Sequence, residues 1–216
     1  MVFIVANLAT VVASHATRSS GASPSLRLLS VAAILYGSLV LAAVHFYRQD
    51  GSLQFRHAYG LVFRWSDLAW GFVVSIVARI AATVVILPLL LLAPDAVGTN
   101  IPSGDELEGV WVLVALSVAA VVLAPIVEEL YFRGFVQRSL ETRWSIAVAI
   151  AMASVLFGLA HVGFQPGVGS IGIALSTGTA GAVFGIAAWY TRRLGVSMAA
   201  HAMFNAVAVA AVLASR

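Results

Sequence analysis

The sequence predicts an all-α membrane protein, a polytopic bundle of about seven transmembrane helices. Three observations predict it: 61% of the 216 residues are hydrophobic, only 10% are charged, and the mean hydropathy is +1.00. An average soluble domain has about 45–50% apolar and about 25% charged residues, so this chain has too few polar side chains to cover a water-facing surface. A spanning helix with its loop takes roughly 25–30 residues, which leaves room for about seven spans.

Seven apolar stretches are the candidate spans. The first, residues 1–16, is short, but it lacks a basic n-region and a convincing cleavage site, so we interpret it as a span and not as a signal peptide. The Ser-, Gly- and Pro-rich segment 15–26 is predicted to be a loop. The other six stretches are each long enough to cross a bilayer. They run from Leu28 to Tyr47, Leu68 to Ala93, Val110 to Val127, Trp144 to Phe164, Ser170 to Tyr190 and Val196 to Ala214.

A few residues within the stretches predict how the helices pack. Pro88 and Pro125 each remove one backbone hydrogen bond, and kinks are expected there. Gly181 and Gly185 form a GxxxG step in the sixth stretch, which lets a neighbouring helix approach closely. An inverted-repeat transporter is not supported, because the sequence contains no internal repeat.

The basic residues predict the orientation of the chain in the membrane. All twelve are Arg, and in membrane proteins such residues collect in cytoplasmic loops. Three alternate connections carry most of them, whereas the connection 94–108 has four acids and no base. The Arg-rich connections, with Arg48, Arg56, Arg64, Arg133, Arg138, Arg143, Arg192 and Arg193, are therefore predicted to be cytoplasmic. The basicity does not indicate nucleic-acid binding, because no stripe of basic and aromatic residues accompanies it.

The residue types that are missing narrow the possible chemistry. The chain has no cysteine, which excludes disulfides, thiolate metal sites and Cys nucleophiles. It has no HExxH motif, no Asp in the middle of a span and no GxSxG elbow, which excludes three common hydrolase designs. A charge near mid-bilayer costs roughly 2.5–3.5 kcal/mol on insertion scales, so polar residues that persist there face partners or water. Those residues are Arg79, Glu128, Glu129, Arg133, His161, His201 and Asn205.

The segment Glu128 to Arg133 follows directly after the fourth stretch. Glu129 and Arg133 are four residues apart, share a helix face and can form an ion pair. Glu128 lies about 100° away around the axis and lacks that partner. A carboxylate without a cationic partner in a poorly solvated site is suited to remove a proton from water, so Glu128 is the predicted general base. The alternative is that the span ends at Val127 and both acids are solvated.

Two imidazoles and a carboxamide complete the candidate site. His161 follows Phe157 by four residues, and His201 and Asn205 share one face of the seventh stretch. Each His alone could be a hydrogen-bonded packing residue. Together with Glu128 they fit amide hydrolysis without a covalent intermediate: Glu128 activates water, His201 and Asn205 donate hydrogen bonds to the oxyanion, and His161 orients the water or acts as general acid.

The order of these motifs resembles the CPBP family, also called the CAAX prenyl protease and bacteriocin-processing, or ABI, family. The motifs are EExxxR from Glu128, FxxxH from Phe157 and HxxxN from His201. The resemblance covers roughly residues 110–214 and implies a multi-spanning endopeptidase whose cavity opens to the cytoplasm. It implies that the first Glu is the catalytic base and that both His residues are essential. It also implies a site lined by Glu128, Glu129, Arg133, His161, His201 and Asn205.

The resemblance divides the chain and leaves the role of a metal open. Residues 110–214 are the predicted protease core, and residues 1–109 are N-terminal transmembrane helices without a signature, all within one membrane-embedded domain. Glu128, His161 and His201 could supply a zinc site with one open position. We favour a site without cofactor, because ligands scattered over three helices are poor evidence for zinc and HxxxN suits oxyanion binding.

The predicted function is that of an intramembrane endopeptidase of the cell membrane, acting from the cytoplasmic side. Its partners are the lipid bilayer and a membrane-associated peptide or prenylated protein. The alternative is a non-proteolytic bacteriocin-immunity or scaffold protein. A proton-coupled transporter is less favoured, because its ionisable groups would line a path through both leaflets and here they crowd one half. Arg79 is the exception; we favour a structural role for it over binding of a substrate carboxylate.

Overall fold

The computed structural model describes residues 12, 13, 16, 17, 19, 21–49, 59–94, 109–162 and 169–214, which form helices and no strand. Six long helices account for most of these residues, and we number them in chain order. They are α1 (Pro24–Gln49), α2 (Ser66–Leu92), α3 (Val110–Glu141), α4 (Ile146–Val162), α5 (Gly169–Thr191) and α6 (Gly195–Ala214). Five of them agree within a few residues with the predicted apolar stretches, but α3 does not end at Val127 as predicted and continues to Glu141. The prediction of an all-α, multi-pass bundle is confirmed.

Five of the six helices are long and apolar enough to cross a membrane, and α4 is a shorter apolar helix of 17 residues. The predicted span 1–16 and the acidic connection 94–108 lie almost entirely outside the described residues, as do Arg56 and most of the turn that precedes α5.

The outer surface of the bundle is apolar, which is the reverse of a soluble protein. On α2, large side chains such as Ile80, Val84 and Leu91 are exposed, and only small or polar residues are buried. Exposed apolar surface of this kind, on helices long enough to span a bilayer, indicates a lipid-facing side. Trp65 and Tyr190, at the ends of α2 and α5, are more than 80% exposed, as expected of aromatic residues at a membrane–water interface.

Helix α3 is continuous but not uniform. Two π-helical segments, Ala119–Leu123 and Leu130–Gln137, interrupt its α-helical turns. The first ends two residues before Pro125, whose ring would collide with a carbonyl four residues back in a regular α-helix. A wider turn relieves that collision, so the helix passes Pro125 without ending. The second segment contains Arg133.

Small residues bring α4 and α5 together. A Cβ placed on Gly158 would lie 3.1 Å from the Cα of Gly178, and one placed on Gly178 would lie 3.3 Å from the carbonyl oxygen of Ser154. The two backbones are therefore in contact at this point, which is the arrangement that small residues favour in membrane helices. This contact fixes the depth at which α4 presents its last turn.

The ends of the helices that carry Arg gather at one end of the bundle. Arg193, just before α6, forms an ion pair with the buried Asp67 at the start of α2. Arg138, near the end of α3, donates to the carbonyl oxygen of Arg192 at 3.0 Å. Glu141, the last residue of α3, pairs with Arg192 at 3.6 Å. This end of the molecule therefore holds the cationic groups of several connections together.

Candidate active site

Three helices bring a carboxylate and two imidazoles to one place. The Oε2 atom of Glu128 on α3 lies 3.6 Å from Nε2 of His161 on α4 and 4.0 Å from Nε2 of His201 on α6. Glu128 Oε2 is buried and has no hydrogen-bond partner within the described residues. Glu128, which the sequence singled out as lacking the partner that Glu129 has, therefore lies beside two imidazole nitrogens.

Glu129 is paired through its Oε1 atom, whereas its Oε2 atom is buried without a hydrogen-bond partner among the described residues. Its Oε1 atom lies 3.0 Å from Nη1 of Arg133, which is the intrahelical ion pair expected from their spacing. Both side chains are almost completely buried, and Arg133 also donates to the carbonyl oxygen of Gly181 at 2.9 Å. The Arg133 guanidinium stacks 4.2 Å from the ring centre of Phe157. These contacts offset the cost of burying the two charges.

A row of polar side chains continues from this pair along α3. Gln137 donates to the carbonyl oxygen of Gly185 at 3.2 Å and to Oε1 of Glu141 at 3.1 Å. The GxxxG step of α5 therefore serves side chains: a Cβ on Gly185 would lie 2.7 Å from Gln137 Oε1, and one on Gly181 would lie 2.9 Å from Arg133 Nη2. The two glycines let the polar groups of α3 reach the α5 carbonyls.

One hydrogen bond of His161 determines which ring nitrogen carries the hydrogen and which one presents a lone pair to Glu128. Nδ1 lies 2.8 Å from the backbone carbonyl oxygen of Phe157, four residues earlier. A carbonyl oxygen only accepts, so Nδ1 carries the hydrogen and the neutral ring presents the lone pair of Nε2. The FxxxH spacing thus orients the ring through one helical turn. His161 can accept a hydrogen bond from water beside Glu128.

His201 is oriented in the same way by a different acceptor. Its Nδ1 lies 3.2 Å from Oε1 of Glu129, the oxygen that also faces Arg133. Because an ionised carboxylate only accepts, Nδ1 carries the hydrogen, and Nε2 of the neutral ring has a lone pair directed toward Glu128. Donation from Nε2, as the sequence hypothesis requires, therefore needs the doubly protonated ring.

Asn205 is positioned by the irregular turn of α3. The Ala124 N–H bonds to the carbonyl of Ala119, five residues back. The next N–H along the chain is missing because residue 125 is proline. The carbonyl oxygen of Ala120 is thereby left for Asn205, whose Nδ2 donates to it at 2.8 Å. One Nδ2 hydrogen of Asn205 remains for another acceptor.

A cavity of about 520 Å³ joins these groups. Glu128, His161, His201 and Asn205 all line it, and the rest of its wall is mostly aliphatic and aromatic. Its volume is within the range of about 300–1,000 Å³ found for ligand pockets. Polar groups that converge in an otherwise apolar cavity are suited to hold water and the polar part of an amphiphilic ligand.

Part of the cavity wall comes from a helix to which the sequence assigned no role. Val31, Leu35, Tyr36 and Leu39 of α1 line the cavity opposite the motif residues. Their spacing places them on one face of a helix, but the same pattern would suit any packed span, so no sequence signal identifies them.

Arg79 lies outside this cavity. Its Nη2 donates to the carbonyl oxygen of Phe204 at 2.5 Å, and its guanidinium lies 4.3 Å from the centre of the Phe204 ring. It thus joins α2 to α6 through a backbone acceptor and an aromatic face, which agrees with the structural role favoured from the sequence.

The fold and the site define a class of protein, a multi-pass helical membrane protein in which carboxylates and imidazoles meet at an apolar cavity. Residues 110–207 match the family model described as Rce1-like, type II CAAX prenyl endopeptidase. That segment of the chain is similar to this family, and the resemblance expected from the three motifs is confirmed. The family implies a CAAX-type intramembrane protease. Comparison with curated proteins and with solved structures gives no significant match.

Proposed function

We propose that the protein is an intramembrane endopeptidase that uses Glu128 to activate water for hydrolysis of a peptide bond. The observation that supports this most directly is the buried Oε2 of Glu128, which has no hydrogen-bond donor among the residues that the structure describes and faces the Nε2 atoms of His161 and His201. These three atoms all accept hydrogen bonds, so a water molecule placed between them could donate to them. Such a water is held by the group that would deprotonate it.

The reaction proceeds in two steps. In the first, Glu128 takes a proton from water while the water oxygen attacks the scissile carbonyl carbon, and the carbonyl oxygen becomes an oxyanion. His161 orients the water through Nε2, and Asn205 donates its free Nδ2 hydrogen to the oxyanion. In the second step the carbon–nitrogen bond breaks, and the proton held by Glu128 passes to the leaving nitrogen. Glu129 and Arg133 hold His201 in place throughout.

We propose that this reaction needs no metal or other cofactor. Glu128, His161 and His201 have the donor types of a two-His, one-carboxylate zinc site, and each imidazole donates its Nδ1 hydrogen to an oxygen acceptor, as zinc ligands do. Zinc bound to these residues would polarise the carbonyl and the attacking water. In the described part of the chain, however, no group of three or more His, Asp or Glu side chains has an arrangement that could hold a metal ion.

The substrate we propose is a prenylated protein or peptide with a free C-terminal carboxylate. The apolar wall of the cavity suits a lipid chain, and the family of the matched segment is named for CAAX prenyl substrates. We place the site on the cytoplasmic side of the cell membrane, because the Arg-bearing ends of the helices face that side by the positive-inside rule. Residues 110–214 form the catalytic core, and α1, from the N-terminal part, completes the cavity.

Cleavage of a farnesylated peptide by the full chain in lipid vesicles tests the proposal. We expect release of the C-terminal fragment, detected by mass spectrometry, and much slower cleavage of the same peptide without the farnesyl group. The control is the peptide that has no farnesyl group and ends in an amide. Failure to cleave the peptide both with and without the farnesyl group would contradict the protease assignment and would favour the alternative of a scaffold or immunity protein.

Removal of divalent metal is expected to leave the cleavage rate unchanged within about twofold, since no step of the proposed reaction passes through a metal. The protein would be dialysed against a strong chelator, its zinc content measured, and cleavage of the farnesylated peptide compared before and after. Loss of activity with the chelator, restored by stoichiometric zinc, would overturn the metal-free mechanism. It would leave the protease assignment standing.

A further inference from the structure

The cavity has fewer hydrogen-bond donors than the proposed reaction needs. The oxyanion carries a full negative charge in a poorly solvated place, where hydrolases usually supply two donors. The neutral rings of His161 and His201 present lone pairs, as their Nδ1 contacts require. Thr177, which also lines the cavity, donates its hydroxyl hydrogen to the carbonyl of Ile173 at 2.6 Å.

Asn205 alone does not remedy this shortage. One of its two Nδ2 hydrogens is used by Ala120, so a single hydrogen remains for the oxyanion. A second donor must come from His201 in its doubly protonated form or from another residue of the wall. The first option requires a proton that Glu128, the base at 4.0 Å, competes for.

Tyr36 is the remaining side chain of the cavity wall that can donate. It lies on α1, its hydroxyl interacts electrostatically with the Glu128 carboxylate, and it makes no hydrogen bond to any described residue. Its neighbours in the wall from α1 are Val31, Leu35 and Leu39, which carry no polar atom. A phenol suits this place because the ring adds to the apolar wall and the hydroxyl reaches the polar end.

We infer that Tyr36 is a further catalytic residue, whose hydroxyl donates a hydrogen bond to the oxyanion together with Asn205. The inference rests on the proposed protease function and extends it to a helix outside the matched segment. The hydroxyl keeps its proton throughout: it donates to the carbonyl oxygen as negative charge develops, and the bond weakens again when the carbon–nitrogen bond breaks. The α1 helix thus contributes to rate as well as to the shape of the cavity.

The substitution Tyr36→Phe tests this role, because it removes only the hydroxyl and keeps the ring in the wall. We expect kcat for the farnesylated peptide to fall about 10²-fold, the usual loss for one oxyanion donor. KM is expected to stay within about twofold, because a donor that acts only in the transition state lowers kcat and kcat/KM equally. Thermal unfolding should be nearly unchanged.

Tyr47→Phe is the matched control on the same helix. The Tyr47 ring contacts that of Tyr59, 6.1 Å between centres, away from the cavity, so its kcat should equal that of the unmodified protein. If Tyr36→Phe keeps full kcat, or only raises KM, the inference fails while the protease function stands. If the unmodified protein cleaves nothing, the proposed function fails and this inference fails with it.

Discussion

Glu128→Gln is expected to lower kcat for the farnesylated peptide by about 10²–10⁴-fold, the range that general-base catalysis contributes. A carboxamide has the shape of the carboxyl group but cannot accept a proton from water. The same change should leave stability unchanged or raise it. In the native site no described residue donates a hydrogen bond to the buried Glu128 Oε2, and a neutral side chain costs less there than an unpaired charge. Steady-state cleavage and denaturant unfolding measure the two effects.

Glu141→Gln is the control for the first prediction. Glu141 is also a carboxylate on α3, but it lies at the end of the helix, where it contacts Gln137 and Arg192. Its replacement should leave kcat within about twofold. Full activity of Glu128→Gln would discard the mechanism, and a Glu128→Gln protein that fails to fold would show that the carboxylate has a structural role instead.

Arg133→Met is expected to destabilise the bundle by about 3–5 kcal/mol and to abolish measurable cleavage. The substitution fills most of the volume but leaves Glu129, which is fully buried, without its cation. It also removes the donor to the carbonyl of Gly181. Because Glu129 orients His201, an uncompensated Glu129 disturbs the site as well as the fold. Unfolding in mixed micelles and cleavage of the farnesylated peptide measure these losses.

A second substitution separates the loss of stability caused by a buried unpaired charge from the loss of catalytic activity. In the double variant Glu129→Gln with Arg133→Met no unpaired charge is buried, so most of the lost stability should return while activity stays low. Arg192→Met is the control, since Arg192 is 71% exposed and its pair with Glu141 is worth about 1 kcal/mol at most. Wild-type stability of Arg133→Met alone would refute the account of the buried pair.

The spans and the motif residues could be predicted from sequence because each depends on a local pattern. Apolar length alone determines where a helix can cross lipid, and a four-residue spacing predicts the contact between Glu129 and Arg133. The same reasoning, applied to Phe157 and His161, could not reveal that the Phe157 carbonyl fixes the ring. That contact depends on the ring's orientation, which spacing does not determine.

Other features were beyond sequence reasoning because they join distant segments. The GxxxG step of α5 was expected to let a neighbouring helix approach closely, and side chains of α3 and α4 do lie against Gly181 and Gly185. The spacing did not reveal that the two glycines receive the polar side chains of Arg133 and Gln137. The contribution of α1 to the cavity has no local signature at all. Pro125 was expected to kink its helix; its effect on the site is the carbonyl that it leaves for Asn205.

The cross-links between α3 and the later helices have a consequence for synthesis of the chain. Arg133 and Gln137 each find an acceptor 48 residues further on, and Glu129 meets His201 72 residues further on. When α3 leaves the ribosome, none of these partners on α5 and α6 has been synthesised. The polar side chains of α3 therefore cannot yet form these contacts, and they stay near the translocon or at the membrane interface. Helix α3 can complete these contacts only after α5 and α6 have emerged, so the candidate site is assembled at the end of synthesis.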